Sequence, residues 1–206
     1  MTILKVFEKQ SALMNQYHQI ETKVCGELKH PTRITHSHET QNVHCQEHIR
    51  LIIWRGIEEL REAGREQLNR TAFKIDAFNE ELIDALHFFT EANLFCNMDW
   101  SETSMRFLDD RLEHEWMTRG RCRISEPFNR QLARVVNAYA DATYLLKSKP
   151  WKQTPKETNW HDFTIKLAQA YEEFIKLLMS RMTYDEAMAI YFGKAAENVK
   201  RQETGY

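Results

Sequence analysis

The chain has 206 residues, 42% of them hydrophobic and 28% charged, with a formal charge of −2. That is enough for one sizeable core and one domain, residues 1–206, and the near-neutral balance gives no electrostatic basis for binding duplex nucleic acid or an anionic membrane. Six glycines and four prolines are few for this length, which favours long helices over a sheet protein with many tight turns.

Helical spacing recurs along the chain. It predicts a first helix over about 4–28, stopping near Pro31, and a polar loop over 32–40. A second helix is expected over about 41–67, and Thr71 is placed to cap a third that runs to about Asn97. Asp99 and Glu102 have the spacing of a capping box for a short fourth helix, and Ser125 with Pro127 opens a fifth that ends before Lys149. The stretch 147–158 contains two prolines and is expected to be an exposed connection. A sixth helix should span Trp160 to Met182, and Thr183 with Glu186 forms a second capping box that launches the last. No internal repeat, low-complexity tract or glycine-rich phosphate loop interrupts this series. The expected fold is an all-α helical bundle.

No apolar run approaches the ~20 residues of a bilayer span, and Met1 is not followed by a basic and then apolar leader pattern. Cys25, Cys45, Cys96 and Cys122 are scattered without a Cys-x-x-Cys pair. Free thiols in the cytoplasm are the simplest expectation.

Two acid pairs carry the chemistry. At about 100° per residue, Glu81 and Asp84 lie about 60° apart on the third helix, on an arc shared with Ala85, Phe88, Ala92 and Phe95. Carboxylates on so apolar a face face protein rather than water. Burying them unpaired costs several kcal/mol each, on the order of magnitude of charge desolvation, so each must take a proton, a cationic partner or a metal. On the second helix Glu59 and Glu62 repeat the i,i+3 spacing, although Arg55, Glu58 and Glu66 beside them equally describe a solvated face. If the two helices face each other, the four acids close on one cation, and magnesium suits an all-oxygen set best.

Near the C-terminus, Tyr191, Lys194, Asn198 and Arg201 follow one another at i, i+3, i+7 and i+10 on one helical face. Such a face has the groups to grip phosphate oxygens, with Arg201 bidentate and Lys194 as a point charge. A solvated basic stripe broken by Glu197 and Glu203 is the plainer alternative.

These residues resemble the all-α dimeric dUTPase family, which includes the dCTP/dUTP pyrophosphatases of T-even-like bacteriophages. The resemblance lies in Glu59 and Glu62, in the acid pair Glu81 and Asp84 ahead of His87 and Phe88, and in a tail carrying Tyr191, Gly193, Lys194, Asn198, Arg201, Gln202, Gly205 and Tyr206. It implies a homodimer that hydrolyses a pyrimidine deoxynucleoside triphosphate, dUTP or dCTP, to the monophosphate and pyrophosphate. It further implies Mg2+ held by Glu59, Glu62, Glu81 and Asp84, with Lys194, Asn198, Arg201 and Tyr206 meeting the substrate. Asn15 is the counterpart expected near the base. The segment of about 101–156 matches nothing in the resemblance.

In that reading Glu62 is the candidate base for water, and Lys194 and Arg201 stabilise charge on the leaving phosphate. A MazG-like pyrophosphohydrolase of other base specificity would share the acid pairs but not the tail. Trp54 reads either as a base-stacking aromatic or as a core or interface residue. Three other classes compete. His30, His36, His38, His44 and His48, five of nine histidines, would make a zinc site with Cys25 or Cys45. Asp84 with His87 echoes a di-iron carboxylate–histidine spacing, although such a site uses Glu-x-x-His on two helices. An all-α scaffold for protein contacts would show no magnesium-dependent turnover.

Overall fold

A computed structural model describes residues 3–25, 43–68, 74–96, 98, 114, 116–118, 120, 121, 126–149 and 158–204. The predicted loop over 32–40, the Thr71 cap, the capping box at 99–102 and Ser125 lie outside the described residues, as do His30, His36, His38, Cys122, Gly205 and Tyr206.

Six helices carry the fold: α1 (Ile3–Cys25), α2 (Val43–Leu68), α3 (Ile75–Phe95), α4 (Phe128–Leu145), α5 (Trp160–Arg181) and α6 (Tyr184–Glu203). No strand occurs among the described residues. The starts of α5 and α6 follow from local chemistry. Asn159 caps α5 by accepting from the Asp162 amide at 3.3 Å. The box opening α6 is formed in both directions, with the Thr183 amide donating to Glu186 Oε2 at 2.7 Å and the Glu186 amide to Thr183 Oγ1 at 3.3 Å.

The central element is α3, which packs against α1, α2, α5 and α6. It buries Phe78, Leu82, Leu86, Phe89 and Phe95 among others, each contributing about 1.5–3 kcal/mol when withdrawn from water. Its closest neighbour, α2, reaches it across Gly56, where a Cβ would lie 2.5 Å from the Phe89 ring. The same ring stacks on Tyr139 of α4 at 3.9 Å and meets Phe174 of α5 edge-on at 4.9 Å. One phenylalanine thus ties four helices together. Helix α1 lays Val6, Phe7, Gln10 and Leu13 onto α3 and α6, and α4 pairs with α5.

The connection after α4 differs from the sequence expectation at its two ends, because Ser148 and Thr158 are buried. Arg50 donates to the carbonyls of Leu146 and Ser148 at 2.7 and 2.6 Å, while Gln46 Oε1 accepts from the Ser148 amide and the Thr158 hydroxyl. Two polar side chains of α2 therefore satisfy a backbone that would otherwise need water. No helix among the described residues is long and apolar enough to cross a membrane.

Candidate functional site

Close packing of α2 on α3 brings Glu59 beside Glu81 and Asp84, with one carboxylate oxygen from each lying within 4.8 Å of the others. Among the described residues this is the one grouping of three His, Cys, Asp or Glu side chains with such spacing. The energetic consequence is a raised affinity for protons within the cluster. Burial, the hydrogen bond with Glu59, and the charges of Glu59 and Asp84 push the Glu81 carboxyl up to about 7. Glu59 is also raised, by burial first and then by Asp84, against its bond to Glu81 and the pull of Arg55 and Lys194.

A cation from α6 completes the group. Lys194 Nζ donates to Asp84 Oδ2 at 2.6 Å and lies 3.7 Å from Glu80. Asp84 is nevertheless raised above its ordinary range, because burial costs its charge more than one ammonium restores. Lys194 itself is raised: burial opposes its charge, but the bond to Asp84 and the surrounding carboxylates prevail. One lysine does not neutralise three acids.

A cleft of about 300 Å³ opens beside Glu59 and Asp84. Helix α1 lines it with Gln10, Leu13 and Tyr17, and α3 with His87, Phe88 and Glu91. Helix α6 adds Lys194, Glu197, Asn198 and Arg201. Phosphate-compatible cations and two acids of the trio, Glu59 and Asp84, therefore share one concave site with apolar and amide groups, the composition expected of a small-molecule site. Behind the wall, Gln10 Oε1 accepts from the Tyr191 hydroxyl at 3.0 Å and bonds His87 Nδ1 at 2.9 Å. The His87 ring stacks on Tyr191 with centroids 4.1 Å apart. Burial and the nearby Lys194 charge push this imidazole down to about 4, so it is neutral at physiological pH. Burial pushes Glu91 up to about 7, and Tyr17 rises to about 12 through burial and then the Glu91 charge.

The predicted residues fall into three groups. Glu59, Asp84, Lys194, Asn198 and Arg201 line the cleft, and Glu81 joins through the trio. Arg201 also pairs with Glu197 at 2.8 Å. Glu62 lies outside the trio and accepts from Arg65 on its own helix. Asn15 is exposed and absent from the cleft lining, which α1 supplies through other residues. Tyr206 is not described. Tyr191, predicted on the phosphate-gripping face, is buried behind the cleft, its hydroxyl hydrogen shared between Gln10 Oε1 and the Val6 carbonyl 3.1 Å away.

Trp54 is 57% exposed and belongs to a different, apolar groove with Leu51, Val136 and Tyr144. His44 pairs with Glu47 at 3.6 Å, and His48 meets the Phe95 ring edge-on. Neither joins a further ligand group among the described residues. The residues that sequence reasoning missed are Gln10, Tyr17 and Glu91. A signal existed: Val6, Gln10, Leu13 and Tyr17 form one stripe at helical spacing, and an amide on an otherwise apolar stripe marks a buried polar function.

A family model described as dUTPase matches residues 67–206. That is about two thirds of the chain, and the chain belongs to the all-α dUTPase family. Membership makes it a nucleotide pyrophosphatase of the dUTPase type. Glu81, Asp84 and the α6 residues lie inside the matched range, which also runs through the 101–156 segment. Glu59 and Glu62 lie before it. No curated protein and no solved structure matches the chain.

Proposed function

We propose that the protein hydrolyses a pyrimidine deoxynucleoside triphosphate, dUTP or dCTP, to the monophosphate and pyrophosphate with Mg2+. The observation that carries this reading is a cleft lined by Glu59, Asp84, Lys194 and Arg201, with Glu81 within reach of the first two. The donor set fits the ion: all oxygen, negatively charged, and destabilised enough without a divalent partner that Glu81 holds its proton to about 7. Glu59, Glu81 and Asp84 would hold it, with Glu62 one turn along α2 as a fourth acid. Bound there, magnesium neutralises phosphate oxygens and acidifies water.

The chain's own residues do the rest. Lys194, already held among the acids by Asp84, and Arg201 at the cleft wall place positive charge beside the phosphate chain, where negative charge develops as the leaving group departs. Asn198 contributes an amide on the same wall. Glu62 is the proposed acceptor of the water proton, which requires it to leave Arg65. The nucleoside lies along α3 towards Gln10, Leu13 and Tyr17, with Tyr206 meeting the substrate from the tail. A homodimer belongs to this reading, and the exposed Leu51, Trp54 and Tyr144 around the apolar groove are the surface it would bury.

Pyrophosphate release measured across the deoxynucleoside triphosphates, with magnesium and then with excess chelator, tests the proposal. Turnover of dUTP or dCTP that stops on chelation and is abolished in Glu81→Gln supports it. Full activity in Glu81→Gln would remove the acid trio from the mechanism.

A further inference from the structure

Glu91 takes no part in the function proposed above, although it lines the cleft beside Tyr17. It forms no hydrogen bond or ion pair with any other described residue. Its neighbour His87 carries a nitrogen that is both unpartnered and shut from water, but neither Glu91 oxygen is so sealed. The carboxyl is therefore open to the cleft. Burial alone pushes it up to about 7, and none of the cleft's charged side chains perturbs it, from Glu59 and Asp84 to Lys194, Glu197 and Arg201. The titratable groups that face it are phenols, Tyr17 of α1 and Tyr191 of α6, both raised by burial and uncharged at neutral pH. Near neutrality a large share of molecules thus keeps the proton on Glu91. Such a carboxyl offers what no carboxylate can, a donor beside an acceptor.

Position selects what it meets. Lys194 bonds Asp84, while Tyr191, three residues before it, stacks on His87, three residues after, so α6 runs antiparallel to α3. The cleft therefore leaves its cations behind as α3 proceeds. Glu91 stands two turns past Asp84, a rise of about 10.5 Å. With phosphates at the cationic end, that distance carries a nucleoside to its base. The Watson–Crick edge of either pyrimidine is also a donor beside an acceptor, N4–H with N3 in cytosine and N3–H with O4 in uracil. We propose that Glu91 is the residue that reads this edge, its carboxyl donating one hydrogen bond to the base and accepting another. Exchanging which oxygen donates lets the same group meet either base. The proposal rests on the nucleotide reading of this cleft.

Steady-state kinetics with dUTP, dCTP and N3-methyl-dUTP test it on the full chain and on Glu91→Leu and Glu91→Gln. N3-methylation removes the donor of the uracil edge, and in the unsubstituted protein it should lower kcat/KM by at least about tenfold. Glu91→Leu, which has neither donor nor acceptor, should lose about tenfold on dUTP and dCTP but little on N3-methyl-dUTP, so that discrimination against the methylated base vanishes. Glu91→Gln carries a donor beside an acceptor at every pH and should keep both substrates. Ionisation leaves Glu91 an acceptor only, and a group titrating near 7 falls about tenfold in protonated fraction from pH 6 to pH 8. Over that range kcat/KM of the unsubstituted protein should therefore fall about tenfold relative to Glu91→Gln, on dUTP and dCTP alike. A merely structural role would depress all three substrates equally in Glu91→Leu. That result, discrimination against N3-methyl-dUTP persisting in Glu91→Leu, or parallel pH profiles for the unsubstituted protein and Glu91→Gln, overturns the proposal. If Glu91→Leu does not fold, the pH comparison with Glu91→Gln decides. Absence of any deoxynucleotide turnover in the unsubstituted protein is a separate failure, that of the function itself.

Discussion

Glu81→Gln should stabilise the metal-free protein at high pH while destroying its activity. Glutamine is the isostere of protonated Glu81 and still donates to Glu59, so the variant resembles the low-pH state at every pH. The carboxyl rises from the ordinary 4.5 to about 7 on folding. The folded state therefore binds more protons than the unfolded one between those values, and this contribution to stability, complete below pH ~4.5, is lost as pH rises through 7. At about 1.36 kcal/mol per unit the shift corresponds to about 3 kcal/mol. Glu81 is only half-buried, and screening by solvent reduces this to about 1–2 kcal/mol. For a chain of this size that is about 3–6 °C in Tm. Thermal unfolding in chelator at pH 5, 6, 7 and 8 should show the unsubstituted protein losing this much relative to Glu81→Gln between pH 5 and 8. Magnesium should then stabilise the unsubstituted protein more at pH 8 than at pH 6, because it competes with protons for the cluster. Parallel pH profiles, or a variant less stable at pH 8, would refute the electrostatic reasoning.

Three further outcomes follow from the packing. Lys194→Met strips Asp84 of its 2.6 Å cation; it should lower kcat/KM for dUTP by about ten- to a hundredfold, read in the pyrophosphate assay, with a smaller fall at low pH in thermal stability than at pH 8. Gly56→Ala places a Cβ 2.5 Å from Phe89, so despite alanine's better helix propensity it should destabilise by about 1–3 kcal/mol in urea unfolding. Thr183→Ala removes one half of the box opening α6 and should cost about 1 kcal/mol, measured in the same way.

The helices were legible from their apolar spacing, the start of α6 also from the marked end at Thr183 and Glu186, and the acids of α3 from the arc of phenylalanines on which they stand. The acid pair of α3 and the basic face of α6 were readable as chemistry before any geometry, and Lys194, Asn198 and Arg201 do line the cleft. The α1 stripe of Val6, Gln10, Leu13 and Tyr17 stands in the sequence, but what it meets does not, since that depends on how α1 sits on α3 and α6. Gln10 looks like one polar residue beside Lys9 and Ser11, yet it is buried and fixes both His87 and Tyr191. Tyr191 shared the helical face of Lys194 but lies nearer the start of α6, where α1 covers it. Glu62 and Glu59 are indistinguishable by spacing; the close approach of α2 to α3 separates them, leaving Glu62 with Arg65.

Inward acids on neighbouring helices, in the function proposed here, hold a divalent ion against a triphosphate. A crystal grown with manganese and a non-hydrolysable dUTP analogue tests it by anomalous scattering. The expected result is a peak ligated by Glu59, Glu81 and Asp84 and in contact with the phosphate chain. Analogue bound in the cleft with no anomalous peak at those three carboxylates would contradict it.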